Sequence, residues 1–393
     1  MNLLSNIVPI ITFLSFYTIA AFFYHEAEKA YDFERKIKAN SYIFIGALVL
    51  CLLAGLRSES VGTDVLVYAK PIYLSAERTD VSFPVWLITQ EDIGYSTLAY
   101  VSAKLFHSFQ FFLFLTEALI VVPFSVIAVI NRKKASILSI MLLYMFLYYP
   151  LGFNVMRQSI SVMLILMGYY LLKKRKTIAL ISIIVAFLFH SSGPITIGLL
   201  CAVYGISNIK NNMVRRTIIL ATSIIMAVFF VNWAEIVRWL IYGIRILPAR
   251  YSFYLGVFSG TVEKSYFFAR GRSDWVELCF RLINFIIPNL YIEVNRLKRK
   301  ELKYYRYASI LNFLIFSVVF FLLNSSYGYR LVMVFDILNC IFYAKLFFIG
   351  KELNRSRLKV RKSTFFITLY GLFFWFLMYV YCGMHQIFPF AFA

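Results

Sequence analysis

The chain has 393 residues, 61% apolar and only 15% charged, with a mean hydropathy of +0.75 and a net charge of +21. Charged residues approach about a quarter of an ordinary soluble domain, so this balance excludes a soluble fold and points to an integral membrane protein. The positive charge sits in short clusters between apolar runs, as topology signals do, and no nucleic-acid partner is expected.

The apolar runs are continuous, as in Ile43 to Leu53 and Ile178 to Phe189, without the alternation of a transmembrane barrel. They predict an all-α polytopic membrane protein, a single transmembrane domain over 1–393 with about 12 transmembrane helices. In chain order the predicted spans are 3–24, 41–56, 109–130, 136–151, 155–172, 177–190, 194–208, 217–236, 275–293, 305–323, 331–349 and 364–382. The first run has no Lys or Arg before Lys29, so it lacks the basic start of a signal peptide and reads as a retained helix.

Six clusters hold most of the basic residues: His25 to Asn40, Asn131 to Ala135, Lys173 to Lys176, Ile209 to Arg216, Val294 to Tyr304 and Gly350 to Ser363. The positive-inside rule puts them in the cytoplasm. Each gap between neighbouring clusters holds two predicted spans, so the parity is consistent and both termini are expected outside.

Two external loops are then long, 57–108 and 237–274. Within the first, Leu98, Val101 and Leu105 fall at helical spacing opposite Ser96, Ser102 and Lys104. This predicts an amphipathic helix at the outer interface over Gly94 to Phe106, with a short or re-entrant span as the alternative. The second loop mixes Arg238, Arg245, Arg250, Lys264, Arg270 and Arg272 with several aromatics. Cations there run against the topology bias and suit either an anion or an aromatic belt with solvated charges. The five cysteines fall in or beside apolar runs without metal-type spacing, so neither a metal site nor a cofactor is expected.

Ionisable groups at the ends of spans need the interface or a polar cavity, since burial at the bilayer centre costs on the order of 3 kcal/mol. Four positions qualify: Arg57 after the second span, Arg157 with Gln158 at the start of the fifth, His190 with Ser191 at the end of the sixth, and Arg330 at the start of the eleventh. The predicted topology puts all four on the outer side, where they are expected to converge on one cavity; snorkelling to the head groups is the alternative for each. Several arginines around one cavity suit a diphosphate, which guanidinium groups bind bidentately while keeping their charge. At the outer leaflet the obvious diphosphate is a lipid-linked sugar.

Arg57, Arg157 and Arg330 are thus candidate diphosphate ligands, and Gln158 a candidate to orient a phosphate or sugar oxygen. His190 has a proton-transfer role open to it. Glu59, Asp64, Glu91, Asp92, Asp274 and Glu277 are carboxylates able to take a proton from a sugar hydroxyl or to pair with the external arginines. Among these, Asp64 shares with His190 the candidacy for activating the acceptor. No Ser-His-Asp order, phosphate-binding glycine loop or nucleotide fingerprint is present.

An ordered set of motifs resembles the EpsG-type branch of the Wzy-like polysaccharide polymerases, which include O-antigen polymerases. Leu56-Arg57, Val61-Gly62-Thr63-Asp64 and Tyr68 look like its early signature, and Glu91 with Gly94-Tyr95 is similar to its Glu-x-Gly-Tyr helix opening. Phe153-Asn154 with Arg157-Gln158 looks like its Phe-x-x-x-Arg-Gln helix start, Phe189-His190-x-Ser192 like its Phe-His-x-Ser element, and Arg330 like a later arginine-bearing helix start. Pro389-Phe390 faintly resembles a Pro-Tyr ending. Val65 and Gly193 depart from the residues usual at their positions, an aromatic and an Ala.

The resemblance implies a glycosyltransferase of the bacterial inner membrane with its site facing the periplasm. Such an enzyme moves a growing glycan from undecaprenyl diphosphate onto the terminal hydroxyl of a lipid-linked repeat unit. Expected partners are undecaprenyl-diphosphate-linked oligosaccharide and the lipid bilayer, with a chain-length regulator and a flippase as further candidates. The rival expectations are an O-antigen or glycan ligase and a non-enzymatic flippase or transporter of lipid-linked oligosaccharide.

Overall fold

A computed structural model describes residues 6–90, 92–232, 272–294, 300–322, 328–353 and 357–393. Among these, every regular element is helical, and the one β-type pairing is an isolated bridge between Arg57 and Phe392. A continuously apolar chain in lipid must satisfy its backbone groups within each segment, which a helix does by itself.

The long N-terminal helices are α1 (Ile7–Asp32) and α2 (Lys36–Gly55). The first predicted external loop then folds into a π-helical turn (Val65–Ala69), α3 (Lys70–Arg78), α4 (Phe83–Ile88) and α5 (Ile93–Leu105). There follow α6 (Phe109–Asn131), α7 (Ile137–Leu147), α8 (Tyr149–Gly152), α9 (Met156–Leu171), α10 (Lys176–Phe189), α11 (Gly193–Asn208) and α12 (Asn212–Val231). Beyond the second loop come α13 (Arg272–Val294), α14 (Lys300–Leu322), α15 (Gly328–Leu353) and α16 (Arg357–Trp375), then a second π-helical turn (Phe376–Tyr381). Among the described residues each of the twelve predicted spans overlaps a helix, 136–151 being divided between α7 and α8. Among the described residues seven helices are long and apolar enough to cross a membrane, and Ile137–Leu147, Lys176–Phe189 and Gly193–Asn208 are shorter apolar helices.

The chain divides into two compact units, Met1–Gly198 with Cys340–Ala393, and Leu199–Asn339. In the first, α1 packs on α2, α2 on α6, α6 on α9 and α9 on α10. Its centre is an aromatic cluster in which Phe13 meets Phe153, Trp375, Phe388 and Phe390 with ring centroids 5.0–6.0 Å apart. Two tyrosine hydroxyls fasten helix ends inside it: Tyr149 donates to the Leu50 carbonyl at 2.6 Å and Tyr379 to the Leu147 carbonyl at 2.9 Å. At the start of α7, Ser136 caps the helix through the Ser139 amide, and Glu28 of α1 accepts from the Ser136 hydroxyl and the Leu138 amide.

Helix α5 forms as expected, but its polar side does not face water. Ser96, Ala99, Ser102 and Ala103 are buried while Leu105 is 70% exposed. Small residues let helices approach closely in lipid, where apolar side chains gain nothing by turning inward; the Ser/Ala face therefore packs among α3, α6 and α10. Lys104 ties this helix to the end of α3 through the Glu77 and Thr79 carbonyls.

In the second unit α14 packs on α12 and α13. Buried Arg281 of α13 donates to Glu277 at 2.8 Å and to Asn312 at 2.8 Å, also contacts Asp336, and lies 4.3 Å over the Phe316 ring. This network satisfies an arginine that would otherwise be costly inside a span.

Candidate functional site

The site is built where the first external segment meets the start of α9. Gly62 has φ +95°, a left-handed backbone that favours glycine. A Cβ there would stand 2.7 Å from the Phe153 carbonyl oxygen, so the signature turn presses directly on the loop before α9. Asn154 of that loop locks the turn: its Oδ1 accepts from the Thr63 hydroxyl and, at 2.8 Å, from the Asp64 amide. The next five residues form the first π-helical turn. Such turns are uncommon and gather at functional sites; this one leaves Tyr68 42% exposed.

A cavity of ≈ 310 Å³ opens beside it, lined by Val67, Tyr68, Pro71, Ile72, Ser75, Gln90, Asp92, Tyr95 and Arg157. Arg157 lies in the first turn of α9, where the helix dipole disfavours a cation. Asp92 compensates. It occupies the N-cap of α5, a place where an Asp carboxylate usually accepts from its own helix, yet it makes no such bond and pairs with Arg157 Nη1 instead. The guanidinium lies 4.4 Å from the centroid of the Tyr68 ring. One nitrogen of the fork is thus held by a carboxylate and its plane by an aromatic, which fixes a planar cation at the wall of a polar cavity. Ser75 is held by Trp86 of α4, whose indole N–H donates at 3.2 Å.

Arg57 goes elsewhere. It is fully buried behind the cavity, its guanidinium 4.1 Å from the Phe153 ring, with Nη2 donating to Met156 Sδ at 3.4 Å. Tyr95, which lines the cavity, donates its hydroxyl to the same sulfur at 3.6 Å. One methionine thus separates Arg57 from the cavity wall. Burial lowers the Arg57 pKa from its ordinary value, and the charge of Glu117 opposes that; a guanidinium remains charged regardless. Glu117, fully buried on α6, has no hydrogen-bond partner on either oxygen, and Arg57 has none on Nε or Nη1.

His190 ends α10. Its Nδ1 accepts from the Ser192 amide at 3.1 Å and faces the Ser192 hydroxyl at 2.8 Å. An N–H donor at Nδ1 assigns the neutral ring's proton to Nε2, so the ring is a hydrogen-bond donor there. A Cβ on Gly94 would meet the Phe189 ring at 3.0 Å, which brings the Gly94-Tyr95 and Phe189-His190 motifs together, two residues from Asp92.

Of the predicted site residues, Arg157 and Tyr68 line the cavity. Asp64 stands on the turn beside it, Gln158 is buried in α9, and His190 adjoins α5 through Phe189. Glu91 lies outside the described residues, although Gln90 and Asp92 on either side both line the cavity. Arg330 belongs to the second unit, where its Nε donates to the Tyr329 hydroxyl at 3.2 Å. The cationic and aromatic residues of the second loop, apart from Arg272, also lie outside the described residues. Glu59 pairs with Lys70 at 2.8 Å, not with an arginine, and Glu277 with Arg281.

Sequence reasoning missed three participants. Glu117 is a lone carboxylate in the apolar run FLTEALIVV, and an ionisable group inside a span is itself a signal. Met156 gave no signal. His385, whose Nδ1 stands 3.0 Å from Asn154 Nδ2, lies far along the chain and is brought in by the segment Gly383–Ala393.

Neither the curated proteins nor the solved structures contain a match to the chain. A family model does match, described as EpsG family, over residues 40–392, a range that takes in the signature turn, both helix-start motifs, His190 and Arg330. A match over that much of the chain makes the protein a member of the EpsG family.

Proposed function

We propose that the protein polymerises a surface polysaccharide of the O-antigen type, a finer reading of the polymerase-like role that EpsG membership fits. In this reaction a terminal sugar hydroxyl of a lipid-linked repeat unit attacks the anomeric carbon of the growing glycan. The bond from that carbon to the phosphate oxygen breaks, undecaprenyl diphosphate leaves with the bonding electrons, and the hydroxyl proton passes to a carboxylate.

The observation that carries the reading is Arg157 held at the cavity wall by Asp92 and Tyr68. A preset guanidinium stabilises the charge that grows on a departing diphosphate without reorganising. Arg330 is proposed as a further diphosphate ligand, and Arg57 as the buried charge that supports the wall from behind. Gln158 and Glu91 are proposed to orient phosphate or sugar oxygens. Asp64, on a turn fixed by Asn154, is the proposed proton acceptor; His190, with its proton on Nε2, suits donation to the leaving group or a sugar hydroxyl. The proposed setting is the bacterial inner membrane, with the site facing the periplasm and no cofactor required.

The test is the purified protein in liposomes supplied with undecaprenyl-diphosphate-linked repeats. The expected product is a ladder of lengthened lipid-linked glycans, and R157A is expected to form it about 100-fold less efficiently. A ligase instead attaches single repeats to an added lipid acceptor, and a flippase moves the substrate unchanged. Either outcome with the wild-type protein would overturn the reading.

A further inference from the structure

The segment Gly383–Ala393 does not trail away from the bundle. Its backbone runs back along the signature turn: the Ser58 amide donates to the Ala391 carbonyl at 2.8 Å, the Gly62 amide to Gln386 at 3.1 Å, and the Ala393 amide to Leu56 at 3.0 Å. Phe388 and Phe390 fix it to the aromatic core through Phe13, with ring centroids 5.1 and 5.0 Å apart. The turn that carries Arg57 and Asp64 is therefore held by a segment more than 300 residues further along the chain.

Within this segment His385 and Gln386 both adopt left-handed backbone, with φ of 62° and 52°. Residues other than Gly, Asn and Asp rarely do so, and such outliers persist where the surroundings hold them and gather at functional sites. What His385 gains there is Asn154. Since Asn154 Oδ1 accepts from Thr63 and Asp64, the amide nitrogen Nδ2 is the atom that faces His385 Nδ1 at 3.0 Å. An amide N–H pointing at Nδ1 makes that ring nitrogen an acceptor. The result is a relay of orientation from His385 to Asn154 and from Asn154 to the Thr63–Asp64 turn.

We propose that His385 is a positioning residue of the transfer reaction: through Asn154 it sets the turn that presents Asp64 to the acceptor hydroxyl. The inference rests on the reading of Asp64 as the proton acceptor. It differs from a bulk packing role because it needs one atom, an acceptor at the Nδ1 position. His385→Asn places its Oδ1 where Nδ1 stood and tolerates left-handed backbone, whereas His385→Gln reaches toward the Nε2 position and His385→Leu supplies no acceptor.

The experiment measures polymer formation by the purified full chain, with kcat and KM for the lipid-linked repeat and the unfolding temperature in detergent for each variant. H385L and H385Q are expected to lose about tenfold or more in kcat with little change in KM, and H385N to recover to within about threefold of wild type. If H385L does not fold, the comparison of H385N with H385Q decides. Full activity in H385L or H385Q overturns the proposal, and so does an H385N as inactive as either. Wild-type protein that makes no polymer overturns the functional reading and with it the role of Asp64, whereas polymer from wild type and H385L alike removes only the role of His385.

Discussion

Arg57 and Arg157 look equivalent in the sequence, each a lone cation at the end of an apolar run, and the structure gives them different surroundings. Arg157 lines the cavity on a carboxylate and a tyrosine ring, so R157A is expected to lower kcat/KM by about 100-fold, roughly 3 kcal/mol of transition-state binding. R157K should recover little, because an ammonium cannot reproduce the planar fork. A kinetic comparison of the two variants checks this, and a fully active R157K would remove the bidentate argument. Arg57, by contrast, is fully buried against Phe153 and Met156 with Glu117 as its electrostatic counterpart. R57A is expected to cost on the order of 3 kcal/mol of stability, since it empties a fully buried site packed on Phe153 and Met156 and takes from buried Glu117 its electrostatic counterpart. Pairing R57A with E117Q should restore part of the loss, read as unfolding temperature in detergent; equal losses in single and double variants would deny the coupling.

At the residue scale, then, Arg157 stands out in the sequence as a cation inside the first turns of an apolar helix, and Tyr68 only through its motif; both line the cavity. Glu117 lies in mid-span, away from the span ends where the other polar candidates stand, and His385 lies in a segment whose only motif is the faint Pro389-Phe390. Pairings such as Asp92 with Arg157 depend on which helix ends meet, which a single sequence does not encode locally.

The elements were more legible than their faces. Among the described residues all twelve predicted spans overlap helices, because continuous apolar runs leave the backbone no other choice in lipid. The small helices α3 and α4 and the first π-helical turn were not anticipated, since they lie where the hydropathy pattern is broken by charges and prolines, whereas the second π-helical turn lies inside an unbroken apolar run that hydropathy reads only as a span. The burial of the Ser/Ala side of α5 was missed for a physical reason: an amphipathic pattern shows that two sides differ, but in lipid the small polar side can be the packed one. Gly62 and Gly94 are the element-scale tests. G62A forces a Cβ to 2.7 Å from the Phe153 carbonyl at a φ of +95°, and it is expected to cost about 2 kcal/mol or more and most of the activity. G94V should separate α5 from Phe189 and lower activity with a smaller loss of stability. A G62A protein with wild-type unfolding temperature and turnover would show that the turn is not fixed as described.

For the whole molecule, the charge clusters make a prediction that is independent of any site. Single cysteines placed in the six basic clusters, in a background without the native cysteines, are expected to react with a membrane-impermeant thiol reagent only when the cytoplasmic face is open. Cysteines between Ser58 and Val81 are expected to react from the opposite face. Labelling of both regions from one side would overturn the parity argument. Family membership agrees with the order of motifs, of which Tyr68, Tyr95 and Arg157 line the cavity while Arg57 is buried away from it and Arg330 belongs to the second unit.

That cavity has a volume of ≈ 310 Å³, near the lower end of about 300–1,000 Å³ for small-molecule sites. It has room for a diphosphate or a sugar ring and little more, so a glycan of many repeats must lie outside it. A pocket of this size registers the bond being made and not the length of chain already attached. On the proposed function this pocket cannot measure the product, and control of polymer length has to come from outside it: from the supply of repeats, from competition by whatever removes the finished glycan, or from a surface that follows the chain after it has left the pocket.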